Sequence, residues 1–204
     1  WQEKHVVPFL KVDIGLEEPH NGVQLMKPIP DLNIILDKAV DKNIFGCKMR
    51  GLIKFANYSG IHIIVAQLFA VSAQILAKGL VPIIEIEVDI NSPEKGAAEL
   101  LLRDELFKHV NALTIDRQII LKLTLPNVAG LYDQLITNPR VLKVVALSGC
   151  FTREKANRLL AQNTGMIASF SRALSEELFD LMSHDEFEEA INDSIDSIYQ
   201  ASNT

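Results

Sequence analysis

Lys122 stands in the middle of an otherwise apolar run, Ile119-Ile120-Leu121-Lys122-Leu123. An ammonium among such neighbours is poorly solvated, which lowers its pKa, and a second cation such as Lys48 or Lys11 lowers it further. A lysine that is partly neutral at physiological pH attacks a ketone to form a Schiff base. The protonated imine is then an electron sink for breaking a carbon–carbon bond, and this chemistry calls for no metal and no cofactor. The run alone is equally compatible with an amine that snorkels to solvent.

Glu85 and Glu87 lie two residues apart in Val81-Pro82-Ile83-Ile84-Glu85-Ile86-Glu87-Val88, so on a strand they share one face. Two carboxylates beside lysines form a proton-transfer group, one of them held partly protonated to act as acid and then base. Glu85 is the catalytic candidate, whereas an ion pair that orients the lysines is the simpler role for Glu87. Ser148-Gly149 and Ser171-Arg172 read as a phosphate cradle. Glycine permits close backbone approach, serine donates a hydroxyl and arginine offers a planar fork.

The elements that must position these groups come from alternation. Six short β-rich runs begin at Val6, Phe45, Val81, Ile119, Val141 and Met166, and between them lie helical patterns over 31–40, 63–78, 93–111, 130–137 and 153–162, with another from Arg172 onward. Asn91-Ser92-Pro93-Glu94 predicts an N-cap with proline at the first helical position, Lys78-Gly79 a helix stop, and Ser183-His184-Asp185-Glu186 a capping box. In the terminal helix Phe187, Ile191, Ile195 and Ile198 would form the buried stripe, and Asp185, Glu186, Glu188 and Glu189 a solvated face. Apolar strands separated by helices predict an α/β fold with a parallel sheet covered on its faces. Nearly every strand carries a charge in or near its C-terminal half: Lys11 and Asp13, Lys48 and Arg50, Glu85 and Glu87, Lys122. In a parallel barrel the active site lies at those ends, with phosphate after the last two strands, so the pattern fits a barrel enzyme for a phosphorylated substrate.

Composition narrows the classes. The 204 residues carry 20 basic and 26 acidic side chains, a net charge of −6, which argues against a nucleic-acid surface. No glycine fingerprint for a dinucleotide and no Walker loop follows any strand. Cys47 and Cys150 are too few for a disulfide framework, and no secretory signal is visible at Trp1-Gln2-Glu3-Lys4-His5, so a cytoplasmic protein is expected. The most apolar stretch, Ile61 to Ile86, is interrupted by His62, Gln67, Ser72, Gln74 and Lys78, which predicts a buried helix and strand and no membrane partner. The five histidines lie far apart and suggest no metal site. Cys150 has no evident His partner for a nucleophilic dyad.

The ordered motifs Val6-Val7-Pro8-Phe9-Leu10-Lys11-Val12-Asp13, Phe45-Gly46-Cys47-Lys48-Met49-Arg50, Gly79-Leu80-Val81-Pro82-Ile83-Ile84-Glu85, Leu121-Lys122-Leu123-Thr124-Leu125-Pro126, Leu147-Ser148-Gly149 and Ala168-Ser169-Phe170-Ser171-Arg172-Ala173-Leu174 run almost end to end. In them the chain resembles class I fructose-1,6-bisphosphate aldolase, the Schiff-base type, and most closely its short bacterial branch. The resemblance implies a (β/α)8 TIM barrel of which strands 3–8 are represented, a glycolytic lyase without cofactor, a phosphorylated sugar substrate and a homo-oligomer. It implies that Lys122 forms the imine, Glu85 transfers protons, Lys48 supports it electrostatically and Glu87 lies near the imine lysine. Lys11 and Arg50 then match basic substrate-site residues, and Ser148, Gly149, Ser171 and Arg172 match phosphate-binding positions. The chain departs from the family pattern at Ile14, where a lysine is usual, at Ile86, where the family has Glu-Pro-Glu, and at Cys150, where a second glycine is usual.

By the same resemblance residues 1–204 are a single, N-terminally incomplete aldolase-type domain, with two strands and an early aspartate outside the chain. Two other readings accompany the leading one. One is a Schiff-base aldolase for a different sugar or aldehyde; the other is an aldolase-like chain that binds phosphosugars or a partner without turnover.

Overall fold

A computed structural model describes residues 2–4, 6–114 and 116–204. In chain order the strands and α-helices are β1 Phe9–Lys11, β2 Val23–Gln24, α1 Leu32–Asp41, β3 Gly46–Ile53, α2 Tyr58–Ala77, β4 Val81–Val88, α3 Lys95–Asn111, β5 Ile119–Thr124, α4 Asp133–Ile136, β6 Val141–Leu147, α5 Arg153–Leu160, β7 Ile167–Ala168 and α6 His184–Ser202. Six strands pair in parallel in the order β1-β3-β4-β5-β6-β7, a simple walk across the sheet with a helix between most neighbours. The sheet curls into an open half-barrel, and β1 and β7 are its edges. This is the α/β fold expected, with the six predicted strands standing as strands 3–8 of a barrel.

Burial alternates along β3. Cys47, Met49 and Ile53 are sealed, while Lys48, Arg50 and Leu52 are half-buried. The sealed residues of β3, β4 and β5 (Met49, Ile84, Ile86, Leu121, Leu123) lie under the helices, and the other parity lines the concave side. The expected covering of the sheet's faces thus takes the form of helices on the outside and a curl on the inside. Curling turns the second face toward itself, where charged side chains can stand in a shared hollow.

The helix after β3 illustrates local control. Asn57 caps α2, its side-chain oxygen accepting a hydrogen bond from Gly60 N at 2.9 Å. By length and composition α2 is the one helix among the described residues apolar enough to cross a membrane. It instead packs on β3, β4 and α3, with Ile61, Ile64, Val65, Leu68 and Ile75 fully buried. Pro82 is tolerated in central β4 because pairing with β5 starts only at Ile83, so no ladder bond is lost at that residue.

Several boundaries differ from the sequence expectation. Pro93 lies in a turn ahead of α3, where Lys95 N donates to Ser92 O, so the proline is not the first helical residue. The pattern at 130–137 yields only the four residues of α4. From Arg172 the chain runs through turns and becomes helical only at His184, behind the Ser183–Glu186 capping box. Glu176 accepts from Arg153 N at the start of α5 and Glu177 pairs with the Arg153 side chain, which ties this stretch outside a helix. The expected stripe on α6 is also rotated: Ser194 and Ala201 are buried, Ile191 and Ile198 half-buried, and Phe187 and Ile195 exposed. Polar contacts from α5 set that rotation, with Arg153 donating to Ser194 at 2.6 Å and Asn157 to Ser197 at 3.3 Å.

Strand β2 was not expected. A turn with positive φ at Asn21 and Gly22, a dipeptide that favours hairpins, closes an antiparallel bridge between His20 and Val23, and β2 then lies antiparallel on the end of β3.

Candidate active site

Register builds the site. Glu85 on β4 is paired between Arg50 on β3 and Lys122 on β5, and Lys11 on β1 is paired with Lys48. Because side chains alternate, Lys11, Lys48, Arg50, Glu85, Glu87 and Lys122 all emerge on the concave side. Lys48 Nζ lies 2.8 Å from Glu85 Oε2 and 3.4 Å from Asp13 Oδ2, and Lys122 Nζ lies 3.9 Å from Glu85 Oε1. Lys11 Nζ sits 2.9 Å from Asp13 Oδ1. The result is a chain of alternating charge: Lys11, Asp13, Lys48, Glu85, Lys122.

Each link has a physical reason. Asp13 and Glu85 are both buried, and a buried carboxylate without a partner would cost several kcal/mol by order of magnitude. Lys48 compensates both. Its approach to Glu85 Oε2 is an ion pair without hydrogen-bond alignment, which leaves that oxygen free to accept a proton. Burial lowers the pKa of Lys122; Glu85 opposes the shift, Lys48 reinforces it, and Glu87 and Arg50 follow with smaller effects of each sign. Burial thus favours the neutral form of the Lys122 amine, beside a carboxylate, and carbonyl attack and proton transfer call for that pairing.

Hydroxyl and guanidinium groups gather at the other end. A cavity of about 130 Å³ is bounded by Arg50, Glu85, Glu87 and Lys122 on one side and by Ser148, Gly149, Ser171 and Arg172 on the other. Arg50 Nη2 donates to Glu87 Oε2 at 2.6 Å, while its buried Nε has no partner among the described residues. Gly149 has φ near +59°, a left-handed conformation, and a Cβ there would stand 3.2 Å from the Ile90 side chain. That turn follows β6 and brings its backbone to the rim. Arg172 is exposed, with Nη1 donating to Cys150 Sγ at 3.0 Å.

All ten sequence-derived residues fall on the concave side or its rim, with Lys11 and Lys48 outside the lining of the cavity itself. Two were missed. Asp13 ties Lys11 to Lys48, and its spacing of two from Lys11 was the available signal. Ser169 lines the cavity after β7, whose two-residue length gives little periodicity to read.

No family model matches this chain. A curated relative does: the chain is 50% identical, over all 204 of its residues and 69% of the relative's length, to the class 1 fructose-bisphosphate aldolase of Clostridium acetobutylicum. Among solved structures, a fructose-bisphosphate aldolase from Plasmodium falciparum, crystallised with TRAP and a small-molecule inhibitor, superposes with a TM-score of 0.73. That match covers 98% of this chain and 67% of the other at 18% identity, a likeness of fold. Identity at the level of the bacterial relative, over the whole chain, reaches beyond fold: the protein belongs to the class 1 fructose-bisphosphate aldolases.

Proposed function

We propose that this chain cleaves fructose 1,6-bisphosphate reversibly to dihydroxyacetone phosphate and glyceraldehyde 3-phosphate through an imine on Lys122. The observation that carries the reading is the desolvated Lys122 amine 3.9 Å from the Glu85 carboxylate, with Lys48 on the carboxylate's other oxygen. Neutral Lys122 attacks the C2 ketone, and loss of water leaves the protonated imine. Removal of the C4 hydroxyl proton breaks the C3–C4 bond, and the bonding pair moves into the imine to give an enamine. The aldehyde product leaves, the enamine takes a proton at C3, and water releases dihydroxyacetone phosphate. Glu85 is the group that carries these protons, and Lys48 stands 2.8 Å from its Oε2.

In this reading Ser148, Gly149, Ser171 and Arg172 hold the phosphate next to the imine, and Lys11 and Arg50 serve the other phosphate. Glu87 positions Arg50 through their 2.6 Å pair. A cytoplasmic, homo-oligomeric enzyme completes the proposal, on the strength of the family relationship.

Cleavage kinetics separate the roles. Glu85→Gln is expected to lower kcat by about 10²- to 10⁴-fold, the usual worth of a positioned acid–base group. Arg172→Ala is expected to raise KM on the order of tenfold to a hundredfold, the worth of charged hydrogen bonds. Unchanged kcat in the first variant, or unchanged KM in the second, would contradict the assignment.

A further inference from the structure

His62, Glu105 and His109 converge on the helix layer, away from the charges at the strand ends. Glu105 and His109 lie four residues apart on α3, the spacing that puts two side chains on one helix face. His62 stands near the start of α2, which packs against α3. The sequence separation between helices hid this meeting from any spacing rule. His62 Nδ1 lies 3.0 Å from Glu105 Oε2, and His109 Nε2 lies 3.9 Å from the same oxygen. The three donor atoms all fall within 4.8 Å of one another.

As a hydrogen-bond network the cluster is unbalanced. Glu105 is buried, and His109 Nε2 is buried too, yet that nitrogen has no hydrogen-bond partner among the described residues. The His109 ring is held against Phe69, with centroids 4.9 Å apart, so the nitrogen stays directed toward the carboxylate. A buried polar atom left in this way is costly unless something else meets it. Two imidazole nitrogens and one carboxylate oxygen are the donor set of a three-ligand zinc site, with the fourth position open to water. Tetrahedral bonds of zinc length put neighbouring donors about 3.4 Å apart; the two distances to Glu105, 3.0 and 3.9 Å, bracket that spacing, and the two imidazoles lie within 4.8 Å of each other.

Burial lowers the His109 pKa, against the pull of Glu105 and with help from Lys108 and His62. Burial pushes the Glu105 pKa upward, but the His62 hydrogen bond and the charges of Lys108, His62 and His109 outweigh it, and the net shift is downward. The partly exposed imidazoles leave the cluster a path to solvent.

We propose that His62, Glu105 and His109 bind one borderline divalent cation, zinc fitting best, which ties α2 to α3. Helix α2 follows the strand that bears Lys48 and Arg50, and α3 follows the strand that bears Glu85 and Glu87. The ion braces these two strand–helix units and takes no part in the carbon–carbon chemistry.

The test is a titration of chelator-treated protein with Co²⁺, read by visible absorption and calorimetry, followed by displacement with Zn²⁺. One equivalent of Co²⁺ should bind with the intense band of a four- or five-coordinate site and no thiolate charge-transfer band, and Zn²⁺ should abolish the band. His62→Ala, at the most exposed ligand, keeps the fold by circular dichroism and should weaken binding on the order of a hundredfold. Zinc should raise the Tm of the parent protein and leave that of His62→Ala unchanged. No one-equivalent band, a thiolate band, or equal affinity in His62→Ala would overturn the site. Should the last variant unfold, His109→Gln replaces it with the same expected loss.

Discussion

At Lys122 burial and the neighbouring carboxylates pull in opposite directions, and burial dominates. Its pKa in the folded chain therefore lies below the ordinary lysine value of 10.5. Between those two values the unfolded chain binds the additional proton, so stability rises with pH across that window and the full cost is present below it. Lys122→Met, similar in length but uncharged, should melt at a higher temperature than the parent near neutral pH. The difference should shrink as pH climbs toward the unfolded value, and melting curves across that range check it. A variant less stable at every pH would show that the contact with Glu85 outweighs desolvation. Residues of this kind were legible in sequence because a charge inside an apolar strand demands a reason. Asp13 and the His109 cluster were less so, since their partners come from other elements.

Among the elements, β3 carries the tightest constraint. Gly46 opens the strand between β1 and β4, where a Cβ would stand 2.0 Å from Val81 O and 2.7 Å from the Phe9 ring. Gly46→Ala must push β4 away from β3 and disturb the register that pairs Arg50 with Glu85. The expected loss is about 1–3 kcal/mol or more, the cost of overpacking, seen as a lower Tm. Ser183→Ala is a milder case. It removes one half of the capping box of α6, for about 1 kcal/mol and a Tm drop of about 2–4 °C. Strands were legible because β-branched runs ended at turn residues. The start of α6 was legible through its cap, but its rotation was not, because hydrogen bonds from Arg153 and Asn157 override the apolar pattern.

On the scale of the whole molecule, an open parallel sheet seals one parity of its residues beneath helices and gathers the charged parity into one hollow. The alternation of strands and helices was readable from the sequence. The curl is a property of the whole sheet, and the sequence hinted at it only through the charges at the strand ends and through family resemblance. The acidic net charge coexists with a cationic hollow, since charge balance says little about where lysines meet. The account turns on imine formation at one lysine. Borohydride reduction in the presence of dihydroxyacetone phosphate, followed by peptide mapping, tests it most directly. A single reduced adduct is expected on Lys122, formed equally in the presence of a chelator and absent from Lys122→Met. Folded protein that gives no adduct on Lys122, or an adduct on Lys48 or Lys11 instead, would contradict it.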